Sequence, residues 1–152
     1  MRAVEPVVDP LLAAAVHPSA PKMRAIFAVE RGAIHEIATL LGPDPVPRSR
    51  DFTWMVDVCI TAELAAMARL PCRHELYQTL MPFKGRVVTM DGTFICFGAA
   101  SYYLGLLAAS LGWADRAHDH FDAAIDLNDA IGAIPWSRRA RAARRAETPL
   151  VT

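Results

Sequence analysis

Apolar residues recur every three to four positions over most of the chain, which is the spacing of one face of an α-helix. In the segment 51–69, for example, Trp54, Val58 and Ala62 share a face. Asp51 stands ahead of this face as a good N-cap residue. The pattern predicts an all-α fold. The predicted helices span residues 10–17, 21–31, 33–41, 51–69, 73–81, 99–111, 114–131 and 135–146.

Two segments interrupt the helical pattern. Residues 42–47, Gly-Pro-Asp-Pro-Val-Pro, hold too many prolines for a helix and are typical of a connector. Residues 82–97 place the turn pair Asp91-Gly92 between short runs rich in β-branched and aromatic residues, which would suit a small hairpin. Because a two-stranded hairpin is marginal by itself, we expect an ordered loop packed over the helices.

Two apolar stretches raise the question of a membrane. The segment 92–114 has no charged residue and is long enough to cross a bilayer. Its four glycines, two serines and central Tyr102-Tyr103 pair favour a buried core helix instead. The apolar run from Leu11 to Val16 lacks a basic region before it, which argues against a signal peptide. We therefore expect a cytoplasmic protein without membrane contact.

The composition is that of a globular domain. Apolar residues make up 53% and charged residues 21%, which is too apolar for a disordered chain. Sixteen basic and sixteen acidic residues cancel, so the net charge attracts neither nucleic acid nor an anionic membrane. Cys59, Cys72 and Cys96 lie singly, as in proteins of a reducing compartment. His118 and His120 point about 200° apart on a helix. We expect no metal and no cofactor.

The segment 101–136 predicts a helical hairpin that turns at Gly112. Small residues on both inner faces would let the two backbones approach, while Phe121 fills the remaining space. The predicted inner faces are Leu104, Gly105 and Ala108 on the first helix and Ala117, Phe121 and Ala124 on the second.

This hairpin resembles the tetratricopeptide repeat, whose small and large positions it matches. The match extends to an ordered set of motifs: Phe52-Thr-Trp54, Leu76-Tyr77, Leu80-Met-Pro82-Phe83, Phe97-Gly98, Leu104 to Ala108, and Gly132-Ala-Ile-Pro135-Trp136. Over residues 22–146, this set looks like the C-terminal tetratricopeptide-like region of large bacterial ATP-dependent regulators. These are LuxR-type transcriptional regulators, related to signal-transducing ATPases, and relatives joined to adenylate cyclase domains.

The resemblance implies tetratricopeptide-like hairpins in a short right-handed solenoid over residues 21–147. Residues 1–20 would form an N-terminal segment that is a candidate cap, and residues 148–152 would form a tail. It also implies a regulatory or sensor module in signal transduction and transcription regulation. The regulators' phosphate-binding loop, G-x-x-x-x-G-K-[ST], is absent from this sequence, so ATP hydrolysis is not expected. We expect no room for a DNA-reading domain after the last helix.

Charge is segregated between the last two predicted helices. Five aspartates follow a 4-3-4-3 spacing along one helix face, and arginines crowd the next helix. Two interpretations are open: the faces are solvated and partly neutralise each other, or they bind a protein partner or a second copy. Nucleic acid is a weaker alternative for the arginines, because no aromatic residues lie between them. The candidate partner-binding residues are Asp115, Asp119, Asp122, Asp126, Asp129, Arg138, Arg141 and Arg145.

The aromatic residues mostly follow the core spacing, but a solenoid has a concave face on which some could form a ligand groove. The groove candidates are Trp54, Tyr77, Phe83, Tyr102 and Tyr103. We expect a non-enzymatic helical-repeat module that binds a protein partner or itself. The alternative is a small-molecule-binding or small catalytic domain that uses the aromatic groove. A chain with an apolar solenoid end would associate most simply as a two-fold homodimer, unless residues 1–20 cap it.

Overall fold

The computed structural model describes residues 20–90 and 95–147, and 69% of these residues are helical. The α-helices of this part are α1 (Ala20–Glu30), α2 (Ile37–Leu41), α3 (Trp54–Met67), α4 (Arg73–Leu80), α5 (Ala100–Ser110), α6 (Ala114–Ala130) and α7 (Ile134–Glu147). Short 3-10 helices at Ile34–Glu36 and Met81–Phe83 lead into α2 and follow α4. The all-α prediction is confirmed. The predicted helix at residues 10–17 lies outside the described residues.

The chain divides into two compact units, residues 1–45 and 46–152. The boundary falls in the predicted connector 42–47, which adopts no regular structure. The sequence had suggested a single domain over residues 21–147. In the first unit, α1 packs against α2, and Ala25, Ala28 and Ile37 are completely buried. The second unit holds the other helices and every site discussed below.

The junctions between successive helices share one backbone motif. At the end of α5, Gly112 has a φ of 80°, and the Trp113 amide donates to the Ala108 carbonyl at 2.9 Å. This motif satisfies a helix carbonyl that would otherwise lack a partner. The same motif occurs at Gly32 and Gly132. Between α3 and α4, however, the left-handed position is held by Arg69, with a φ of 52°. That conformation costs a non-glycine residue about 1–2 kcal/mol.

The predicted hairpin of α5 and α6 is confirmed, and its centre is the contact of Phe121 with Gly105. Phe121 is completely buried, and a Cβ atom on Gly105 would lie only 2.5 Å from its Cε1 atom. The position must therefore be glycine for the ring to reach the α5 backbone. The other predicted inner-face residues, Leu104, Ala108, Ala117 and Ala124, are also completely buried.

Residues 87–99 contain two paired β-strands, which is the hairpin that we considered less favourable, and the expectation of an ordered loop is wrong. Strand β1 (Val87–Thr89) pairs antiparallel with β2 (Cys96–Ala99). Such a short hairpin is marginal alone, but here the helices supply hydrogen bonds to β2. The Asn128 side chain of α6 accepts from the Ala99 amide at 3.0 Å. The Trp136 indole of α7 donates to the Cys96 carbonyl, also at 3.0 Å.

The charge-free segment 92–114 is not one long helix. Its described part forms strand β2, helix α5 and the turn at Gly112. No helix in residues 20–90 and 95–147 is long and apolar enough to cross a membrane. The predicted N-cap at Asp51 also differs from the structure. The Asp51 carboxylate accepts from the Thr53 amide at 3.0 Å, which makes an Asx turn one step before α3 begins.

Candidate functional site

Helices α3 and α5 lie side by side and leave a groove between them, which we call the α3–α5 groove. Its volume is about 470 Å³, within the usual range of ligand and peptide sites. Apolar side chains form its middle, and polar groups lie at its ends. Helix α3 and the turn after it contribute Glu63, Ala66, Met67 and Arg69, and α5 contributes Tyr102, Leu106, Ala109 and Ser110.

The polar end near Glu63 is built from three helices. The Arg139 guanidinium of α7 forms an ion pair with the Glu63 carboxylate and lies over the rings of Tyr102 and Trp136 at 5.5 and 5.2 Å. Burial raises the pKa of Glu63, and the charge and hydrogen bond of Arg139 oppose that shift. Burial also raises the pKa of Tyr102 to about 12. This end of the groove is therefore a neutralised acid–base pair beside a protonated phenol.

The other end of the groove holds Arg69, a cation for which the described residues supply no ion-pair partner. Arg69 is exposed, and among the residues that the structure describes its guanidinium forms no ion pair or hydrogen bond. Arg73 follows it closely but is already engaged, since it donates to the carbonyls of Leu70 and Ser110. Met67, with 40% of its surface exposed, lies on the groove between these two ends.

A second polar group is buried between α4 and α6. The Tyr77 hydroxyl and the His120 Nε2 atom are 2.9 Å apart. The Tyr77 ring makes edge-on contacts with the rings of both His120 and Trp113. Burial lowers the pKa of His120, and the charge of Lys84 lowers it further. The His120 Nδ1 atom is buried without a hydrogen-bond partner. Because this pair is sealed in the helix interface, it holds the hairpins together and offers no opening to a substrate.

The acidic and basic surfaces of α6 and α7 neutralise each other in part. Asp129 pairs with Arg141 at 2.5 Å, and Asp122 binds Arg144 through both of its oxygens. In the described part of the chain, the candidates without an ion pair are Asp115, Asp119, Asp126, Arg138 and Arg145. All five aspartates are exposed on one face of α6, as their spacing predicted. Exposed pairs of this kind contribute at most about 1 kcal/mol each.

The five groove aromatics do not form one cluster, although Tyr102 and Tyr103 contact each other with ring centres 5.1 Å apart. Trp54 packs on Phe83 with ring centres 5.5 Å apart, and its indole donates to the Pro47 carbonyl. Tyr77 belongs to the pair with His120. Tyr103 is buried and donates to the Phe97 carbonyl at 2.9 Å. Of the five, Tyr102 is the one that lines the α3–α5 groove, so the predicted set does not line this groove together.

The sulfur and imidazole groups in the described part of the chain do not form a metal-binding cluster. No set of three or more His, Cys, Asp or Glu side chains within residues 20–90 and 95–147 is placed to hold a metal ion. Cys59 is completely buried, and burial raises the pKa of its thiol, so it is held as a thiol. Cys72 is followed by Arg73, whose guanidinium donates to the carbonyls of Leu70 and Ser110.

Sequence reasoning missed Glu63 and Arg69. One signal for Arg69 was available: it follows α3 at the position where the turns after α1, α5 and α6 have glycine. Glu63 could not be singled out, because its partner Arg139 is 76 positions away along the chain. Comparison of the chain with family models, with curated proteins and with solved structures finds no match.

Proposed function

We propose that the chain is a non-enzymatic helical-repeat module, tetratricopeptide-like in its arrangement, that binds a peptide segment of a protein partner in the α3–α5 groove. The observation that carries the proposal is the groove itself, which is open, apolar in its middle and polar at both ends. This is how peptide-binding surfaces combine affinity and orientation. The likeness to the repeat region of bacterial regulators supports a regulatory role in signal transduction and transcription.

The arrangement of the hairpins supports the repeat interpretation. Helices α3 and α4 form one hairpin, and α5 and α6 form the next. The first helices of the two hairpins pack on each other, and α7 then packs along α6. Stacked hairpins of this kind present their first helices on a common concave surface. The β1–β2 hairpin lies between these two helical hairpins along the chain.

A second candidate, small-molecule binding or catalysis, has one observation in its favour. The groove volume also suits a small ligand, and the raised pKa of Glu63 is typical of an acid–base group. The Arg139 guanidinium weakens this alternative, because it already occupies the Glu63 carboxylate. We therefore favour peptide binding over small-molecule binding or catalysis.

The first test is selection of a random 12-residue peptide display library on the full-length chain. We expect peptides whose affinity falls about tenfold or more in Met67→Glu, because a charge replaces an apolar contact in the groove. Met81→Glu is the matched control, since Met81 is 38% exposed against 40% for Met67 and does not line the groove. The selected peptides should bind Met81→Glu with the same affinity as the wild type.

Equal loss in both variants, or no selected peptide at all, would contradict the proposal. The predicted homodimer is a form of the same proposal, in which a second copy is the partner. Light scattering on the full chain and on a chain starting at Pro21 distinguishes this homodimer from a monomer whose apolar end is capped by residues 1–20. Dimerisation that Met67→Glu abolishes and Met81→Glu leaves intact would place the second copy in the groove.

A further inference from the structure

Arg69 has a backbone conformation that is unusual for a non-glycine residue, with a φ of 52°. Of the five residues with a positive φ that follow a described α-helix, four are glycines, namely Gly32, Gly42, Gly112 and Gly132, and the fifth is Arg69. Glycine adopts this conformation without strain, whereas the Cβ atom of Arg69 opposes it. A cap alone does not need an arginine. Strain that persists at one position is a reason to look for a role of its side chain.

The side chain of Arg69 differs from those arginines of the groove and of α7 that are engaged by other groups. Arg139, Arg141 and Arg144 each form an ion pair with a carboxylate, and Arg73 donates to carbonyls. Arg69 lines the groove as a cation that no described acidic group neutralises. An unpaired guanidinium beside apolar surface favours an anionic group on whatever binds there.

The charge at the other end of the groove does not compensate Arg69. Glu63 and Arg139 cancel, so the groove has an excess of one positive charge, and this charge lies at the Arg69 end. Arg69 lies six positions after Glu63 and two beyond the end of α3, a distance of about 9 Å at the rise of a helix. That length corresponds to about three residues of an extended peptide.

We propose that the α3–α5 groove selects an acidic peptide segment, in which a carboxylate binds Arg69 and an aliphatic side chain within about three residues packs on Met67 and Leu106. This inference rests on the proposed function, because it names the chemistry of the partner in the same groove. Arg69 would thus be a specificity-determining residue, and its left-handed backbone directs the guanidinium to the groove at the cost of some stability.

The test repeats the peptide selection with Arg69→Gly, Arg69→Glu and Arg69→Lys in the full-length chain. The wild type should enrich Asp or Glu beside an aliphatic residue, and Arg69→Lys should keep that preference. Arg69→Glu should enrich Lys or Arg instead. Arg69→Gly should lose the charge preference, with at least a tenfold loss for the wild-type peptides, while its Tm stays equal or rises because the strain is removed.

The outcomes separate this inference from the proposed function. If peptides bind in a Met67-dependent way but show no acidic preference, or keep it in Arg69→Glu, the groove binds peptides and the role of Arg69 is wrong. If Arg69→Gly lowers the Tm and leaves the preference intact, Arg69 is only a helix cap, and the inference is overturned. If no peptide binding depends on Met67, the proposed function fails, and this inference with it.

Discussion

Replacing Phe121 with alanine is expected to lower the free energy of unfolding by about 3–5 kcal/mol, as for other large side chains removed from a packed core. The ring is completely buried and lies directly on the α5 backbone at Gly105. Ala117 and Ala124, which are buried on the same face of α6, are too short to fill the space that the ring would leave. Urea denaturation followed by circular dichroism measures the change. A loss below about 1 kcal/mol would contradict the packing described.

Because Phe121 contacts Gly105 closely, the effect of Gly105→Ala on the free energy of unfolding should change sign when Phe121 is also replaced with alanine. In the wild type, Gly105→Ala places a methyl group against the ring and should cost about 1–3 kcal/mol. In Phe121→Ala the same methyl group enters the new cavity. There it should be neutral or stabilising, since alanine is favoured over glycine in a helix by about 1 kcal/mol. Simply additive losses would show that the two residues do not touch.

Trp136→Ala is expected to have the next largest effect, a loss of about 2–4 kcal/mol, because this partly exposed ring joins α7 to both α5 and β2. The ring lies 6.1 Å from that of Tyr102 and 6.3 Å from that of Tyr103. It also packs so closely on Gly98 that a Cβ atom there would be 2.8 Å away. Without the indole, the Cys96 carbonyl loses its donor.

Trp136→Phe is the control for the hydrogen bond. It keeps most of the ring contact and removes only the indole N–H, so we expect a smaller loss of about 1–2 kcal/mol. Both variants are measured by urea denaturation in the same buffer. If Trp136→Ala and Trp136→Phe are equally destabilised, the ring packing contributes nothing and the hydrogen bond carries the whole effect. Such a result would contradict the account of α7.

The helices could be predicted from the sequence because their information is local. Helical spacing gave the inner faces of α5 and α6, and Gly112 gave the turn between them. The β1–β2 hairpin could not be predicted in the same way. Its strands have three and four residues, and what stabilises them are Asn128 and Trp136, about thirty to forty positions further along the chain.

The candidate site was harder to predict than the fold, because charge spacing identifies a face and not its partner. The aspartates of α6 do share one face, but Asp122 and Asp129 are engaged by α7. The α3–α5 groove depends on how two helices separated by more than thirty residues pack together. No local pattern in α3 or α7 identifies Glu63 and Arg139 as partners.

The most direct test of the central claim is an NMR titration of the full-length chain, labelled with ¹³C in its methionine methyl groups, with a selected peptide. Met67 and Met81 are almost equally exposed, but only Met67 lines the groove. We predict that the Met67 methyl resonance shifts in proportion to the bound fraction while that of Met81 stays in place. A peptide that binds and leaves the Met67 resonance unmoved would contradict the claim that the α3–α5 groove is the binding site.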